Sequence, residues 1–162
     1  MEIEVRIRGL MMDPATNMPI VVLKDMHSDA VMPIWVGIFE ANAIAIEIAK
    51  ETTQRPLTHD LTRNLIRHLD AELEKVVIND LHDDTFFASL WLRRQGEPIV
   101  VDVRPSDGIA LALRADCPIF VDDKVLQSAK LSTSGPPEGP TAEQLRGWLD
   151  GLNDEDLGHY KM

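Results

Sequence analysis

The chain has 162 residues, 44% hydrophobic and 27% charged, which is ordinary for one folded domain with a sizeable core. It has no apolar run of about 18 residues, its N-terminus alternates charged and aliphatic residues, and Cys117 is its single cysteine. These features argue against a membrane span, a signal peptide, an intrachain disulfide and a cysteine-built zinc site, and they predict a cytoplasmic protein. The net charge of −11 means that nucleic-acid binding would need a local basic patch, metal ions or low affinity.

The first part of the chain reads as three strands followed by a helix. The segment "EIEVRIR" alternates with a period of two, which is typical of a strand with one buried face. Turn clusters "MMDPATNMP" and "MHSDA" separate it from two further predicted strands, "IVVLKD" and "VMPIWVG". After Gly37, "IFEANAIAIEIAK" is rich in alanine and isoleucine and has little polar surface, which predicts a buried helix.

The segment "RPLTHDL" is the first concentration of chemically active side chains. Pro56 keeps Arg55 out of helical geometry, and Thr58 is the predicted N-cap of the next helix, with His59 and Asp60 in its first turn. The positive end of the helix dipole disfavours protonation of His59, and a neutral imidazole suits a general base or a metal ligand. The alternative is an ordinary polar helix start with an exposed histidine.

The helix that starts near Thr58 is predicted to be amphipathic, and the second half of the chain repeats the order of the first. The apolar stripe of the helix comprises Leu61, Leu65, Ile66, Leu69 and Leu73. Predicted strands "KVVINDL", "TFFASLWLRR" and "IVVDVR" then lead into the apolar helix "GIALALRA", the strand "CPIFV" and the helix "DKVLQSA". Two halves of strand, strand, strand and helix indicate either an ancient duplication or two helices that are alike only in composition.

The segment "DVRPSD" is the second concentration of polar side chains. Asp102 and Arg104 share one face of the predicted strand, Ser106 is the predicted N-cap of the following helix, and Asp107 lies in its first turn. An arginine beside the free N–H groups of a helix start is suited to bind an anion. The alternative is a surface ion pair between Asp102 and Arg104, which would contribute little stability.

The segment "NDLHDD" adds clustered carboxylates, which can hold Mg²⁺ or Mn²⁺. Asp83 and Asp84 are more simply explained as turn residues, so Asp80 is the candidate metal ligand here.

Composition divides the chain into three parts. Residues 1–131 form the predicted domain, residues 132–140 read as a Gly/Pro/Ser linker, and residues 141–162 read as an acidic amphipathic helix and tail.

In combination, these segments resemble the bifunctional nuclease (BFN) domain family. The matching stretches are residues 32–45, 55–61, 80–92, 102–121 and 122–126. The family motif residues are matched by Arg55, Pro56, Thr58, His59, Asp60, Asp80, Thr85, Asp102, Arg104, Pro105, Ser106 and Asp107. Gly108 departs from the alanine or serine that many members carry. The resemblance implies a compact α+β domain with a mixed, mainly antiparallel sheet, homo-oligomers such as dimers, and weak nuclease activity on DNA and RNA.

We therefore expect the two Arg-Pro segments to frame one anion-accepting cleft. The expected catalytic residues are His59, Asp60, Asp102 and Asp107. The expected phosphate-binding residues are Arg55, Thr58, Arg104 and Ser106, and the expected ligands of a Mg²⁺ or Mn²⁺ ion are Asp80 and Asp102. A competing hypothesis is a non-catalytic regulatory module that binds a small anion or a protein partner, which the acidic composition favours.

Overall fold

The computed structural model describes residues 1–132, and the predicted linker and tail beyond Ser132 lie outside the described residues. This part of the chain holds seven strands and four helices. The strands are β1 (Glu2–Met12), β2 (Pro19–Asp25), β3 (Val31–Trp35), β4 (Ala71–His82), β5 (Thr85–Arg94), β6 (Glu97–Val103) and β7 (Ile119–Asp122). The helices are α1 (Ile38–Ile48), α2 (Thr58–His68), α3 (Pro105–Ala115) and α4 (Asp123–Ser132). Within residues 1–132, no helix is both long and apolar enough to cross a membrane.

One sheet joins all seven strands, in the order β3-β2-β1-β7-β4-β5-β6. Each half of the chain forms a three-stranded antiparallel meander, and β7 lies between the two meanders. Strand β7 pairs antiparallel with β1, from Glu2 opposite Asp122, and parallel with β4, from Val76 opposite Ile119. The predicted α+β class, with a mixed and mainly antiparallel sheet built from two similar halves, is confirmed.

The core lies between the sheet and the two apolar helices, which pack on each other. Ile44 of α1 and Ile109 of α3 are fully buried, as are Val21 of β2 and Ile78 of β4. The alanines at positions 41, 43 and 45 of α1 and 110 and 112 of α3 are buried too, and their small side chains let helix and sheet backbones approach closely. The predicted burial of α1 is confirmed for Ala41 and residues 43–46, but Ile38 and Phe39 in its first turn are exposed.

Helix α2 differs from its prediction in its N-cap, in its last residue and in the burial of its apolar side chains. Leu57 occupies the N-cap position rather than Thr58, and the helix ends at His68, so Leu73 lies in β4. Ile66 packs against the core, whereas the predicted apolar stripe is otherwise largely exposed at Leu61 (53%), Leu65 (54%) and Leu69 (59%). The periodicity of a sequence identifies a helix but not its neighbours, and here the main contacts of α2 are with α3 and β4.

The start of α3 also differs from its prediction. Arg104, not Ser106, takes the extended conformation of the N-cap position, and Pro105 is the first helical residue. Proline suits this position because its missing N–H would have no partner inside the helix. Ser106 is therefore inside the first turn and is buried.

Gly108 marks a close approach between α3 and the sheet, which generates a stability prediction. A Cβ atom at this position would lie 2.8 Å from Cγ1 of Val76 and 3.3 Å from Cγ1 of Val103. We expect Gly108→Val to lower the free energy of unfolding by about 2–3 kcal/mol in urea denaturation, because the added atoms overpack a buried contact. Gly108→Ala should cost less, since the intrinsic helix preference of alanine over glycine, about 1 kcal/mol, opposes the clash. A Gly108→Val protein as stable as the wild type would contradict the close approach.

Candidate functional site

An open cleft of about 810 Å³ lies where the first turns of α1, α2 and α3 meet strand β6. Both Arg-Pro segments contribute to it, the first through Pro56–His59 and the second through Asp102–Arg104 and Asp107. Helix α1 adds Phe39, Glu40, Asn42 and Ala43, and the wall is completed by Thr62, Leu90, Val101 and Leu111. The expectation that the two segments meet at one cleft therefore agrees with the arrangement of the chain.

Four charged or titratable side chains form a continuous series of contacts in this cleft. His59 Nε2 lies 2.8 Å from Asp107 Oδ1, and Arg104 donates from Nε to Asp107 Oδ2 over 2.8 Å. Arg104 also donates from Nη2 to Glu40 Oε1 over 2.8 Å. Glu40 and Asp107 lie in the first turns of α1 and α3, so Arg104 links the N-termini of the two core helices.

These contacts shift the pKa values of Asp107 and Arg104. Burial raises the pKa of Asp107, but the hydrogen bonds from Arg104 and His59 outweigh it and hold that pKa below its ordinary value. Asp107 and Glu40 raise the pKa of Arg104 through hydrogen bonds and charge. Because an ionised carboxylate only accepts hydrogen bonds, Nε2 of His59 is the donor in its contact with Asp107. Asp107 therefore orients the imidazole ring of His59.

The predicted site residues divide between the cleft and other places. Those that line the cleft are Thr58, His59, Asp102, Arg104 and Asp107. Arg55 is exposed and does not line the cleft, and Ser106 is buried within α3. Asp80 is exposed on β4, where its Oδ1 accepts from the backbone N–H of Leu81.

Asp60 points away from the cleft and uses both carboxylate oxygens in structural contacts. Oδ2 accepts from the backbone N–H of Leu57 (2.9 Å), and Oδ1 accepts from Nε of Arg114 (2.8 Å), whose side chain has no exposed surface. Burial raises the pKa of Asp60, but these two hydrogen bonds and the charge of Arg114 hold it below its ordinary value. The contacts indicate a structural role as the counterion of a buried arginine.

The arrangement does not form a ready-made metal site. In the described part of the chain, no group of three or more His, Cys, Asp or Glu residues is placed to hold a metal ion. The two expected ligands, Asp80 and Asp102, lie on β4 and β6 with β5 between them, so two strand spacings of about 4.8 Å separate their backbones. The divalent ion stays a prediction.

Two residues of this region were not anticipated from the sequence, namely Glu40 and Arg114. Each is a charged residue inside an otherwise apolar helical segment, "IFEANAIA" and "GIALALRA". Charged residues are rarely buried without a partner. A charged residue in an apolar segment was the sequence signal that could have identified them. Their partners, however, belong to elements that are distant in the sequence.

The sequence is similar to those of known proteins. A family model described as the bifunctional nuclease domain matches residues 21–134. An uncharacterized protein of Mycobacterium tuberculosis (strain ATCC 25618 / H37Rv) is 39% identical over 162 residues, which cover 95% of this chain and 97% of that protein. Bifunctional nuclease 1 of Arabidopsis thaliana is 27% identical over 141 residues, or 79% of this chain and 43% of that protein. Bifunctional nuclease 2 of Oryza sativa subsp. japonica is 28% identical over 138 residues, or 83% of this chain and 42% of that protein.

The Asp60–Arg114 pair generates a stability prediction. Asp60→Ala should lower the free energy of unfolding by about 3–5 kcal/mol at pH 7, because it leaves a buried guanidinium without its closest carboxylate. Urea denaturation measures the change. Asp102→Ala is the matched control, since Asp102 is exposed, and should change stability by less than about 0.5 kcal/mol.

The same pair predicts how stability responds to acid. A carboxylate with a lowered pKa in the folded state stabilises fully above its ordinary value of 3.8, and this contribution is lost as pH falls through the lower folded pKa. The stability difference between the wild type and Asp60→Ala should therefore be largest near neutral pH and shrink below about pH 4. A difference that is constant from pH 7 to pH 3 would show that the charge of Asp60 is not the stabilising feature.

Proposed function

The chain belongs to the bifunctional nuclease domain family, and we propose that it hydrolyses phosphodiester bonds of DNA and RNA slowly, with His59 as the general base. The observation that carries the proposal is the 2.8 Å contact between His59 and Asp107, inside a cleft built from both Arg-Pro segments. The plant relatives are named bifunctional nucleases, but this chain spans less than half of their length, so their activity is extended to it only as a proposal.

The proposed reaction uses the groups of the cleft directly. Nδ1 of His59 takes a proton from water, and the oxygen of that water forms a bond to phosphorus while the ester bond to the leaving oxygen breaks. Asp107 stabilises the imidazolium that forms, and this imidazolium can return the proton to the leaving oxygen. Arg104 is 67% exposed and keeps N–H groups that are not used by Asp107 or Glu40, so it can also contact a phosphate oxygen.

The charge of the cleft supports weak rather than strong binding of a polyanion. Glu40, Asp102 and Asp107 line it together with a single arginine, Arg104. Phosphate-backbone affinity depends on unpaired Lys and Arg residues, and here the arginine is shared with two carboxylates. The same acidity favours the second candidate, a non-catalytic module that binds a protein partner, over tight nucleic-acid binding.

An activity assay with matched variants tests the proposal. On single-stranded DNA and RNA, His59→Gln should lower turnover by roughly 100-fold, because general-base catalysis is lost. Asp107→Asn should lower turnover too, because a neutral amide cannot stabilise the imidazolium. His82→Gln is the control, since His82 is an exposed histidine outside the cleft, and should leave turnover unchanged. Chelator and added Mg²⁺ or Mn²⁺ test the predicted metal requirement in the same assay.

The decisive comparison is between the cleft variants and the control. All variants must first show the thermal unfolding of a folded protein. Activity that persists equally in His59→Gln, Asp107→Asn and His82→Gln would belong to a contaminating nuclease. That result would favour the non-catalytic module.

We also propose that the chain forms homodimers, and that strand β6 contributes to the interface. Strand β6 is an edge strand that exposes Ile99 (39%), Val100 (52%) and Val101 (40%), and an apolar edge is a ready template for another strand. Trp35 and Phe87 are also exposed, on β3 and β5.

Sedimentation velocity tests the self-association. The wild type should sediment as a dimer at micromolar concentration, and Val100→Lys should shift it towards the monomer, because a buried lysine at the interface would be unpaired. A monomeric wild type would contradict the proposed dimer. A Val100→Lys protein that dimerises normally would show that β6 is not part of the interface.

A further inference from the structure

A second concavity of about 230 Å³ lies at the C-terminal end of α2, between that helix, α3 and the start of β4. Three arginines contribute to its wall, Arg63 and Arg67 from α2 and Arg114 from α3. Leu73 and Leu111 supply part of its apolar surface. We call this concavity the arginine cavity. None of its three arginines lines the cleft described above, although Leu111 lines both concavities.

Arg114 has an unmet hydrogen-bonding need beside this cavity. Its Nε is held by Asp60, and its Nη1 donates to the carbonyl oxygen of Ala110 over 2.9 Å. Its Nη2 is buried and has no hydrogen-bond partner within the described part of the chain. A buried donor without an acceptor is costly and usually marks a bound water, ion or ligand group.

The other two arginines lie one turn apart on α2, where an incoming anion can reach them. Arg63 donates from Nε and Nη2 to the side-chain oxygen of Asn64, at 3.2 and 3.1 Å, which is a neutral partner, and its charge also interacts with the carboxylate of Asp60. Arg67 is exposed. Arginine residues at this spacing on one helix can both donate hydrogen bonds to the oxygens of a single anion.

Three carboxylates of the described part of the chain lie near the arginine cavity, and only one of them lines it. Asp60 and Glu47 lie on the Nε side of Arg114, at 2.8 and 3.8 Å, and neither lines the cavity. Glu72 is the one carboxylate among the lining residues; it is exposed and lies opposite Arg93 in the β4–β5 pairing. The negative charge of Glu72 contributes to the raised pKa of Arg93, so this carboxylate also interacts with a cation outside the cavity.

We propose that the arginine cavity is a binding site for a phosphate group, either free inorganic phosphate or the phosphate end of a small monoester. Planar guanidinium groups match the oxygens of phosphate, and the unpartnered Nη2 of Arg114 supplies a further donor beside the cavity. The volume of about 230 Å³ is below the roughly 300–1,000 Å³ of sites for drug-sized ligands, which favours a single phosphate group over a whole nucleotide. The proposal does not depend on nuclease activity.

Calorimetric titration of the full-length chain tests the site, with inorganic phosphate in one arm and glycerol phosphate in the other. Both probes should bind with saturation. Arg63→Gln and Arg67→Gln should each weaken binding by about tenfold, the effect of losing one charge-assisted contact. Arg94→Gln is the matched control, an exposed arginine on β5 outside both concavities, and should bind phosphate as the wild type does. Tighter binding of glycerol phosphate would identify a phosphorylated small molecule as the ligand, and equal binding would identify phosphate itself.

Methyl resonances locate the binding. Phosphate should shift the methyl signals of Ile66 and Leu73, which line the arginine cavity, and leave those of Leu90 and Val101 in the cleft unchanged. His59→Gln should retain phosphate binding, which separates this proposal from the proposed nuclease function. The proposal is overturned if neither probe saturates, if Arg94→Gln weakens binding as much as Arg63→Gln and Arg67→Gln do, or if only the cleft methyl signals shift.

Discussion

The position of the short strand β7 is the constraint on which the arrangement of the molecule depends. Its four residues pair with β1 on one side and β4 on the other, and they join two meanders that have no other strand pairing between them. Because the sheet is continuous through β7, the helices that follow the two meanders pack against one another. A chain without this strand would have two small half-sheets, each with an apolar edge to cover.

The contact of α1 with α3 brings two helix N-termini, each with an acidic residue in its first turn, to one place. Acidic residues are favourable there because of the helix dipole, but Glu40 and Asp107 would repel each other without a cation between them. Arg104 supplies that cation from the N-cap position of α3. The residue that looks from the sequence like a free phosphate ligand is therefore also part of the contact between the two halves of the domain.

Helix α2 depends on polar contacts to an unusual degree, because none of its residues is buried. Its first turn is held to α3 by the hydrogen bond of His59 to Asp107 and by the ion pair of Asp60 with Arg114, while Ile66 supplies a partly buried apolar contact. The two adjacent residues therefore have different roles, since Asp60 pairs with a buried arginine of α3 and His59 lines the cleft. Arg114, the partner of Asp60, also lines the arginine cavity.

The local pattern of the sequence was sufficient for the element order, because period-two alternation, turn residues and alanine-rich runs are properties of neighbouring residues. The α+β class and the family followed from the resemblance of the sequence motifs to the bifunctional nuclease domain family. The local pattern also identified both Arg-Pro segments, and five of the predicted site residues line one cleft. The N-caps predicted at Thr58 and Ser106 were wrong by one and two residues, because backbone conformation at a helix start depends on the preceding chain as well as on cap preference. The exposed leucines of α2, the engagement of Arg104 by Glu40, the burial of Arg114 and the distance between Asp80 and Asp102 depend on which elements meet in space. Only the tertiary structure decided them, because each is a relation between residues far apart in the chain, and no local pattern carries that information.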